Sequence, residues 1–417
     1  MNRKDKLYAT KQDAKPALVP KLRFPKFRGA EGWTERQLGD FLSESRLPGS
    51  KGNVAKKITV KLWGKGVFDK NDAIQGSINT QYFRRKAGQF IYSKLDFLNQ
   101  AFGIIPTSLD NFESTVDLPC FDITGGLNNV FLLEYVKRRD FYERLGETAD
   151  GSRKARRIHA ETFLSFTVAL PTTAEQQRIA ECLSSVDEVI AAQARKVDAL
   201  KNHKKGLMQQ LFPREGETQP RLRFPEFRKD GEWETKRLSD EIDLLSGMHL
   251  SPDQYGFTGE VPYFTGPSDF TNEIKSVSKW TKRTANVAVP DDTLITVKGS
   301  GVGEVWYSTL PAAAMGRQLM AVRAKQGSGR FVFQFLLTKK TRFGDLGAGN
   351  LIPGLARPDI LEMEAHFPSL PEQHRIASCL SSLDALIAGE TQKLEVLKHH
   401  KRGLMQRLFP SPEVAEA

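Results

Sequence analysis

The sequence predicts a pseudo-two-fold symmetric protein of the mixed α/β class, in which two long helices form an antiparallel intramolecular coiled coil that joins two domains. Two observations support this prediction. The chain contains two copies of one framework about 200 residues apart, and each copy ends in a long heptad-patterned segment. Between the matched stretches the two halves share almost no sequence. A framework that is repeated while its inserts differ is expected to present two different surfaces from one symmetric support.

The repeated framework has an early part and a late part. The early part is the segment 21–27, Lys-Leu-Arg-Phe-Pro-Lys-Phe, which returns at 221–227 as Arg-Leu-Arg-Phe-Pro-Glu-Phe. The late part is the segment 175–213, which matches 372–410 at 24 of 39 positions. The matches predict a flexible extension over 1–20, a first domain over 21–170, a central helix over 171–213, a polar linker over 214–220, a second domain over 221–367, a C-terminal helix over 368–410 and a tail over 411–417.

Each late part predicts one long helix with a coiled-coil seam, because its apolar positions are separated alternately by four and three residues. Each helix is expected to end at a proline, Pro213 or Pro410. About 37 residues make a helix roughly 55 Å long, and its narrow apolar stripe requires a partner stripe. The other copy is the obvious partner, and a domain carried on each helix favours antiparallel pairing. The seam positions are Ile179, Leu183, Val186, Ile190, Gln193, Val197, Leu200, Lys204, Leu207 and Leu211, and then Ile376, Leu380, Leu383, Ile387, Glu390, Leu394, Leu397, Lys401, Leu404 and Leu408.

Both seams contain polar residues at the same two places, Gln193 with Glu390 and Lys204 with Lys401. One interpretation is structural, since a polar seam residue fixes register and a lysine stem can lie along apolar surface. The other interpretation is that these side chains touch a partner protein.

A glycine lies inside the last turns of each helix, where it costs on the order of 1 kcal/mol relative to alanine. Its repetition at Gly206 and Gly403 suggests the close approach of another backbone, either an adjacent helix or another subunit. Both alternatives stay open at this point. The candidate partner-binding residues are Gly206, Leu207, Met208, Gly403, Leu404 and Met405.

The formal charge of +11 is concentrated in the inserts. Residues 51–110 hold ten Lys and Arg against four Asp and Glu, and residues 275–345 hold twelve against four. A single basic run is usually a solvated surface, but two separate basic inserts on one symmetric frame favour a polyanionic partner such as DNA.

Candidate DNA-binding residues follow from the chemistry of base and phosphate contacts. Arg reads guanine and Asn or Gln reads adenine in the major groove, while Lys mainly contacts phosphate. For any one of these residues a solvated or loop-stabilising role remains the alternative. The candidates are Lys61, Lys65, Gln75, Asn79, Arg84, Arg85 and Lys86 in the first insert, and Lys282, Arg283, Lys298, Ser300, Arg317 and Gln318 in the second.

The glycine-rich loop, residues 298–303, follows an expected strand and has three interpretations. A nucleotide site is disfavoured, because the Lys-Ser/Thr ending of a P-loop and an acidic residue at dinucleotide spacing are missing. The loop could instead let backbone N–H groups approach a DNA phosphate, or it could be a plain hairpin turn.

Other classes of protein are disfavoured by what the sequence lacks. It has no apolar run of the roughly 18–20 residues that span a bilayer, no secretory signal pattern, and no recognisable methyltransferase, Walker A, zinc-protease or nuclease motif. Seven histidines and three cysteines show no metal-ligand spacing. We therefore expect a non-catalytic protein without a metal, located in the reducing cytoplasm.

Four segments together form a recognisable set. They are Leu-Arg-Phe-Pro-Glu-Phe at 222–227, Gly-Glu-Val-Pro-Tyr-Phe at 259–264, Leu-Pro-Glu-Gln-His-Arg-Ile-Ala at 370–377 and the ending Lys-Arg-Gly-Leu-Met-Gln-Arg-Leu-Phe-Pro at 401–410. This set resembles the specificity subunit of type I restriction-modification systems. The resemblance covers roughly residues 20–410. The first half lacks the Gly-Glu-Val-Pro-Tyr-Phe segment, so its recognition domain is expected to belong to another subclass and to read another sequence.

The resemblance implies a DNA-reading subunit. Its two target-recognition domains would each read one half of a bipartite, asymmetric site, and its helices would set the spacing. The helices would also dock two modification subunits, which bind S-adenosylmethionine and methylate adenine N6, and restriction subunits would bring ATP and Mg²⁺. The chain itself would hold no cofactor. The alternatives are a stand-alone DNA-modifying enzyme with an unrecognised motif and a coiled-coil scaffold protein.

Overall fold

The computed structural model describes residues 18–70, 76–147, 157–282, 286–299, 301–349 and 354–410. These residues form two compact units. Unit 1 is residues 18–192 with 394–410, and unit 2 is residues 193–393. Each unit therefore contains one domain and half of each long helix.

The strands and helices of unit 1 begin with the repeated early segment and lead into the first long helix. They are β1 (Thr34–Gln37), β2 (Leu42–Glu44), β3 (Pro48–Lys51), β4 (Ile58–Lys61), β5 (Gly66–Asp69), β6 (Gln81–Arg84), β7 (Phe90–Tyr92), β8 (Phe102–Ile104), β9 (Glu113–Ser114), β10 (Cys120–Ile123), α1 (Asn129–Val136), α2 (Arg139–Gly146), α3 (Ala160–Leu164), β11 (Thr167–Leu170) and α4 (Thr173–Leu211).

Unit 2 follows the same plan and leads into the second long helix. Its elements are β12 (Glu234–Arg237), α5 (Leu238–Glu241), β13 (Ile242–Ser246), β14 (Tyr255–Gly256), β15 (Val261–Phe264), β16 (Trp280–Thr281), β17 (Val287–Ala288), β18 (Thr293–Thr296), β19 (Val305–Tyr307), β20 (Ala313–Met315), β21 (Leu319–Ala324), α6 (Gly329–Thr338), α7 (Lys340–Gly349), α8 (Arg357–Leu361), β22 (Glu364–Phe367) and α9 (Leu370–Leu408).

The two domains share a central sheet and differ in a second one. The shared sheets have the strand orders β2-β10-β7-β8 and β13-β21-β18-β19, and each unit also pairs its outer strands, β1 with β11 and β12 with β22. Unit 1 adds β3-β6-β9 and the β4-β5 hairpin, whereas unit 2 adds β14-β16-β15-β20-β17. The sequence difference between the inserts therefore corresponds to different second sheets on a common plan, and the predicted mixed α/β class is confirmed.

In each unit a segment of α4 pairs with a segment of α9 in antiparallel orientation. In unit 1, Leu183 packs in one core with Leu404 and Leu408. In unit 2, Leu211 packs in one core with Ile376 and Leu380. Each long helix has 39 residues. The predicted antiparallel seam is therefore confirmed.

The early repeat connects each domain to the long helices through hydrogen bonds and an ion pair. The Arg23 guanidinium forms two hydrogen bonds, of 2.8 and 2.7 Å, with the Glu175 carboxylate, and both side chains are buried. Arg223 and Glu372 repeat the same pair at the same distances in unit 2. The Leu22 N–H also donates to the carbonyl of Arg407 at the end of α9. This joint explains why both parts of the framework recur together.

Residue 18 is part of this fold, although the sequence predicts a flexible extension up to residue 20. The Leu18 carbonyl accepts a 2.7 Å hydrogen bond from the Trp33 N–H, and the Leu18 side chain packs against the core of unit 1. Residues 1–17 and the predicted tail, 411–417, lie outside the described residues.

The polar seam positions are used inside the helix pairs. Lys204 pairs with Asp384 at 2.6 Å in unit 2, and Lys401 pairs with Asp187 at 2.7 Å in unit 1. Each pair fixes one lysine against one aspartate of the other helix, so these contacts support the interpretation that the polar positions set register.

Gln193 and Glu390 occupy equivalent repeat positions and contact each other. The Gln193 side chain donates to the Glu390 carboxylate at 2.7 Å and to its backbone carbonyl at 2.9 Å. Hydrogen bonds from Gln193, Lys393 and Lys196 together lower the pKa of Glu390 to about 2. The seam therefore holds a buried carboxylate in its charged form.

The expected close approach at the helix glycines is not found among the residues that the structure describes. A side-chain carbon added at Gly206 or at Gly403 would meet no neighbouring atom within 4 Å among the described residues. Of the two alternatives, an adjacent helix is therefore not supported by the described residues, since open space surrounds both glycines. The alternative of another subunit stays a prediction.

We predict that Arg23→Ala lowers the free energy of unfolding of unit 1 by about 3–5 kcal/mol, because it leaves the Glu175 carboxylate buried without its partner. Arg139→Ala is the matched control, since Arg139 and Glu143 form an exposed pair, and the loss of such a pair should change stability little. Urea unfolding of both variants measures the difference. Similar losses in the two variants would contradict the role assigned to the joint.

We also predict that stability falls as pH decreases from about 5 towards 2, and that Glu390→Gln flattens this dependence. The folded pKa of Glu390 lies below the unfolded value of about 4.3, so its stabilisation is complete above the unfolded pKa and is lost as the pH approaches the folded one. Urea unfolding between pH 7 and pH 3 tests this. Glu395→Gln, at an exposed position, should leave the profile unchanged, and parallel profiles for Glu390→Gln and the unaltered chain would refute the prediction.

Candidate nucleic-acid interface

In unit 1, the end of β6 presents basic side chains on alternate sides. Arg84 and Lys86 are exposed, whereas Arg85 between them is 2% exposed. This follows from the alternation of side chains along an extended chain. The Lys86 ammonium donates a 2.7 Å hydrogen bond to the Asn111 side chain, which limits the directions in which it can point. Arg84 and Lys86 are therefore the accessible pair.

The assignment of Arg85 to DNA contact is incorrect. Its guanidinium donates to the Ser114 hydroxyl at 2.8 Å and to the Ser45 carbonyl at 2.7 Å. Burial lowers the pKa of Arg85. It joins β6 and β9 to the end of β2 from the inside, so its role is structural.

The remaining candidates of the first insert lie apart from this pair or outside the described residues. Lys61 and Lys65 flank the turn of the β4-β5 hairpin, where the exposed Trp63 has a positive φ of 60°. The opposite end of this hairpin contacts β9, through a bridge from Lys57 to Glu113. Asn79 is exposed in the loop before β6, and Gln75 lies outside the described residues. The structure therefore divides the predicted set into a hairpin group and a β6 group.

In unit 2, three candidates meet at one end of the central sheet. The Val297 N–H donates to the Gln318 carbonyl at 2.7 Å, which places Lys298 beside Gln318. The Gln318 side chain is half-buried, and its oxygen would lie 3.5 Å from a side-chain carbon added at Gly299. Lys298 and Arg317 are exposed. An amide held between two exposed cations can read a base edge while the cations contact phosphates.

Two residues at this end of the sheet were missed by the sequence analysis. Arg357 is exposed, and its guanidinium donates a 3.2 Å hydrogen bond to the Ser246 hydroxyl. His249 is also exposed, in the segment whose Met248 N–H donates to the Met315 carbonyl. Neither residue lies near the other candidates in the sequence, so only the pairing of β13 with β21 reveals that they belong to this group.

The glycine-rich loop is the turn of the β18-β19 hairpin, as one of its three interpretations predicted. The N–H groups of Val302, Gly303 and Glu304 already donate within the hairpin, to Gly299, Thr296 and Gly301 respectively. A side-chain carbon at Gly301 would lie 2.6 Å from Pro267. The glycine there is explained by this close packing, and these three amides are not available to a phosphate.

The remaining candidates of the second insert do not join this group. Lys282 follows β16, whose residue Thr281 pairs with Val261 at the start of β15, while Gly266 and the Lys298 group lie beyond the end of β15. Lys282 is exposed and is separated from the Lys298 group by β15, so its contact with DNA stays a prediction. Arg283 and Ser300 lie outside the described residues.

The candidate partner-binding side chains take part in the cores of their own units. Leu207 and Met208 pack against the core of unit 2, and Leu404 and Met405 pack against that of unit 1, although all four remain partly accessible. Packing within the chain therefore covers part of the apolar surface of each of these side chains. Their proposed contact with another subunit stays a prediction.

No helix in the described part of the chain is both long and apolar enough to span a bilayer. Nor do its His, Cys, Asp and Glu side chains form a group suited to hold a metal ion.

We predict that Arg85→Ala lowers the free energy of unfolding of unit 1 by about 2–4 kcal/mol, because the Ser45 carbonyl and the Ser114 hydroxyl lose a buried donor. Arg84→Ala is the matched control one residue away, and its exposed side chain should contribute about 0.5 kcal/mol or less. Urea unfolding compares the two variants. Equal stability of both would show that Arg85 is not structural.

Comparison with known proteins identifies relatives of one kind. A family model described as the type I restriction modification DNA specificity domain matches residues 230–399. A putative type I restriction enzyme MjaX specificity subunit from Methanocaldococcus jannaschii is 25% identical over 288 residues, which cover 67% of this chain and 66% of the relative. The MjaVIII specificity subunit of the same organism is 24% identical, over 60% of this chain and 63% of the relative. The chain thus aligns with slightly less than two thirds of each relative's length.

Solved structures share the fold. The S subunit of a type I restriction-modification system from M. genitalium has a TM-score of 0.61 at 16% identity, over 94% of this chain and 99% of that chain. A chain from a type I system whose assembly and conformational transition were studied has a TM-score of 0.54 at 19% identity, over 91% of this chain and 98% of that chain. At these identities the likeness concerns the fold.

Proposed function

We propose that this chain is the DNA-reading subunit of a type I restriction-modification complex, because the specificity-domain model matches residues 230–399 and the curated relatives are specificity subunits. Each domain reads one half of a bipartite, asymmetric site, and the paired helices set the gap between the halves. Methylation of adenine N6 and ATP-dependent cleavage are carried out by other subunits. In this proposal S-adenosylmethionine, ATP and Mg²⁺ bind to those partners, and the chain works in the cytoplasm, where the DNA is.

One observation carries this proposal: a repeated frame bears two unlike sets of exposed basic side chains, which in unit 2 are joined by a half-buried amide. In unit 1 the set is Arg84 with Lys86, on the outer side of β6. In unit 2 it is Lys298, Arg317 and Gln318, at one end of the central sheet. Because the frame is repeated, the chain has two domains that can each bind one half-site. Because the two sets of side chains differ, the two half-sites should differ in sequence. Two modification subunits are the proposed partners of the helices, since the repeat offers each of them an equivalent surface.

We predict that each unit can lose its half of the site separately. The double variant Arg84→Ala with Lys86→Ala should weaken recognition of one half-site, and Lys298→Ala with Arg317→Ala should weaken recognition of the other. Each lost base contact costs about 1–3 kcal/mol, and each lost phosphate contact reduces the salt dependence of binding by about 0.9 in log–log slope. The readout is the pattern of methylated adenines produced with the modification subunits, together with salt-dependent binding of matched DNA.

The control is Arg28→Ala with Lys229→Ala, because both residues are exposed and lie just after the early repeats. It should leave both half-sites intact. Equal loss at both half-sites in either test variant would contradict separate reading. Methylation or cleavage by the purified chain alone would instead support a stand-alone enzyme, and the absence of salt-sensitive DNA binding would support a scaffold.

A further inference from the structure

A large basic cleft lies in unit 2 between the C-terminal part of α4 and helix α7. Its volume is about 1440 Å³, which exceeds the roughly 300–1,000 Å³ of small-molecule pockets. One wall is a face of α4 that includes Lys201, Lys205 and Met208, and the other is a face of α7 that includes Arg342 and Leu346. The cleft therefore has the form of a groove between two helices.

The charge of this cleft is unbalanced. Two acidic residues, Glu215 and Asp345, also line it. Of the cations, Lys204 pairs with Asp384, while in the described part of the chain none of the other five has an ion-pair partner. The six cations are Lys201, Lys204, Lys205, Arg214, Lys339 and Arg342.

Lys339 is a cation of this cleft whose pKa is lowered by its surroundings. Its side chain is half-buried and lies 5.4 Å from the centre of the Phe335 ring. Burial, and then the nearby charge of Arg342, lower the pKa of Lys339. A partly desolvated ammonium beside a second cation gains from any carboxylate that enters the cleft.

The corresponding place in unit 1 is already neutralised. Helices α1 and α6 correspond, since Phe131 packs on Phe409 as Phe331 packs on Phe212. In unit 1, Arg138 is 8% exposed, pairs with Asp140 and donates to the Pro410 carbonyl. Here the protein's own carboxylate balances the buried cation. In unit 2, Glu215 and Asp345 line the cleft, but in the described residues neither forms an ion pair with its cations, which leaves those cations open to a carboxylate from outside.

The chemistry of the lining distinguishes between possible occupants. The lining also includes three apolar side chains that are at least partly accessible, Met208, Leu337 and Leu346. A phosphate backbone gains nothing from such an apolar lining, whereas an amphipathic helix can place an apolar stripe against it and acidic residues against the cations. We infer that this cleft binds an acidic amphipathic helix of a partner protein, once per chain. The inference does not depend on the DNA-reading function.

The test uses the full-length chain and a labelled synthetic peptide of 16 residues, roughly four helical turns, with leucine along one face and glutamate on the others. Fluorescence anisotropy should show one peptide bound per chain, with affinity that falls as salt rises. The same peptide with glutamine in place of glutamate should bind at least about tenfold more weakly.

The repeat supplies matched variants. Lys201 and Lys205 line the cleft, and Lys398 and Arg402 occupy the equivalent positions near the end of α9. Lys201→Glu with Lys205→Glu should weaken peptide binding about tenfold or more, whereas Lys398→Glu with Arg402→Glu should leave it unchanged. The charge-reversed Lys339→Glu with Arg342→Glu should gain affinity for a peptide in which lysine replaces glutamate. Circular dichroism checks that all variants fold.

Several results would overturn the inference. Equal binding of the glutamate and glutamine peptides would do so, as would two peptides bound per chain or equal effects of the two matched variants. The absence of glutamate-peptide binding at about 100 μM would also overturn it, since helix–groove complexes typically have dissociation constants of about 1 μM. Displacement of the peptide by a 30-base-pair duplex, with loss of duplex binding in the Lys201→Glu, Lys205→Glu variant, would assign the cleft to nucleic acid instead. Unchanged duplex binding in that variant, with peptide binding lost, would support the protein partner.

Discussion

The antiparallel pairing of α4 with α9 is the constraint on which both domains depend. The core of unit 1 includes Leu408 and Phe409 from the end of α9, and the core of unit 2 includes Leu211 and Phe212 from the end of α4. Each domain is thus completed by the helix that follows the other domain in the sequence. Separating the helices would remove an apolar side of both cores, where each large buried side chain contributes about 1.5–3 kcal/mol. Folding of the two repeats is therefore coupled.

Symmetry in the frame and asymmetry on its surface serve different purposes. The pairs Arg23–Glu175 and Arg223–Glu372, whose carboxylates are buried, are repeated because each domain must meet the helices in the same way. The surfaces differ because the basic set of unit 1 lies at the end of β6 in its second sheet, whereas that of unit 2 lies at one end of the central sheet. The basic cleft follows this division too, since it is open in unit 2 while its counterpart is neutralised in unit 1. A symmetric support can therefore carry an asymmetric set of partners.

The sequence predicted the helices well and the surfaces less well, for physical reasons. Heptad spacing and terminal prolines are local signals, so α4 and α9 fall within the predicted ranges. The direction of a side chain in a short strand depends on which neighbour covers it, and this is why Arg85 was wrongly grouped with Arg84. The group around Gln318 also includes Arg357, which is brought there by strand pairing across more than 30 residues of sequence. Such contacts between residues that are distant in the sequence cannot be predicted from residue spacing.

The helix glycines show a different limit of the sequence analysis. A repeated glycine is a reliable sign of a constraint, but it does not identify the neighbour that imposes it. Around Gly206 and Gly403 the described part of the chain leaves open space. This open space is compatible with the proposed docking of modification subunits. The paired faces of the helices hold the chain together, and the faces that carry the glycines remain accessible.

The most direct test of the account lengthens both helices together. Gln193 pairs with Glu390, so one heptad inserted after Ala192 and another after Glu390 add about 10 Å to each helix while keeping the seam in register. Methylated adenines mapped with the modification subunits then give the site that is read. The account predicts unchanged half-sites and a gap longer by about three base pairs, at about 3.4 Å per base pair. An unchanged gap, with both half-sites still read, would contradict it.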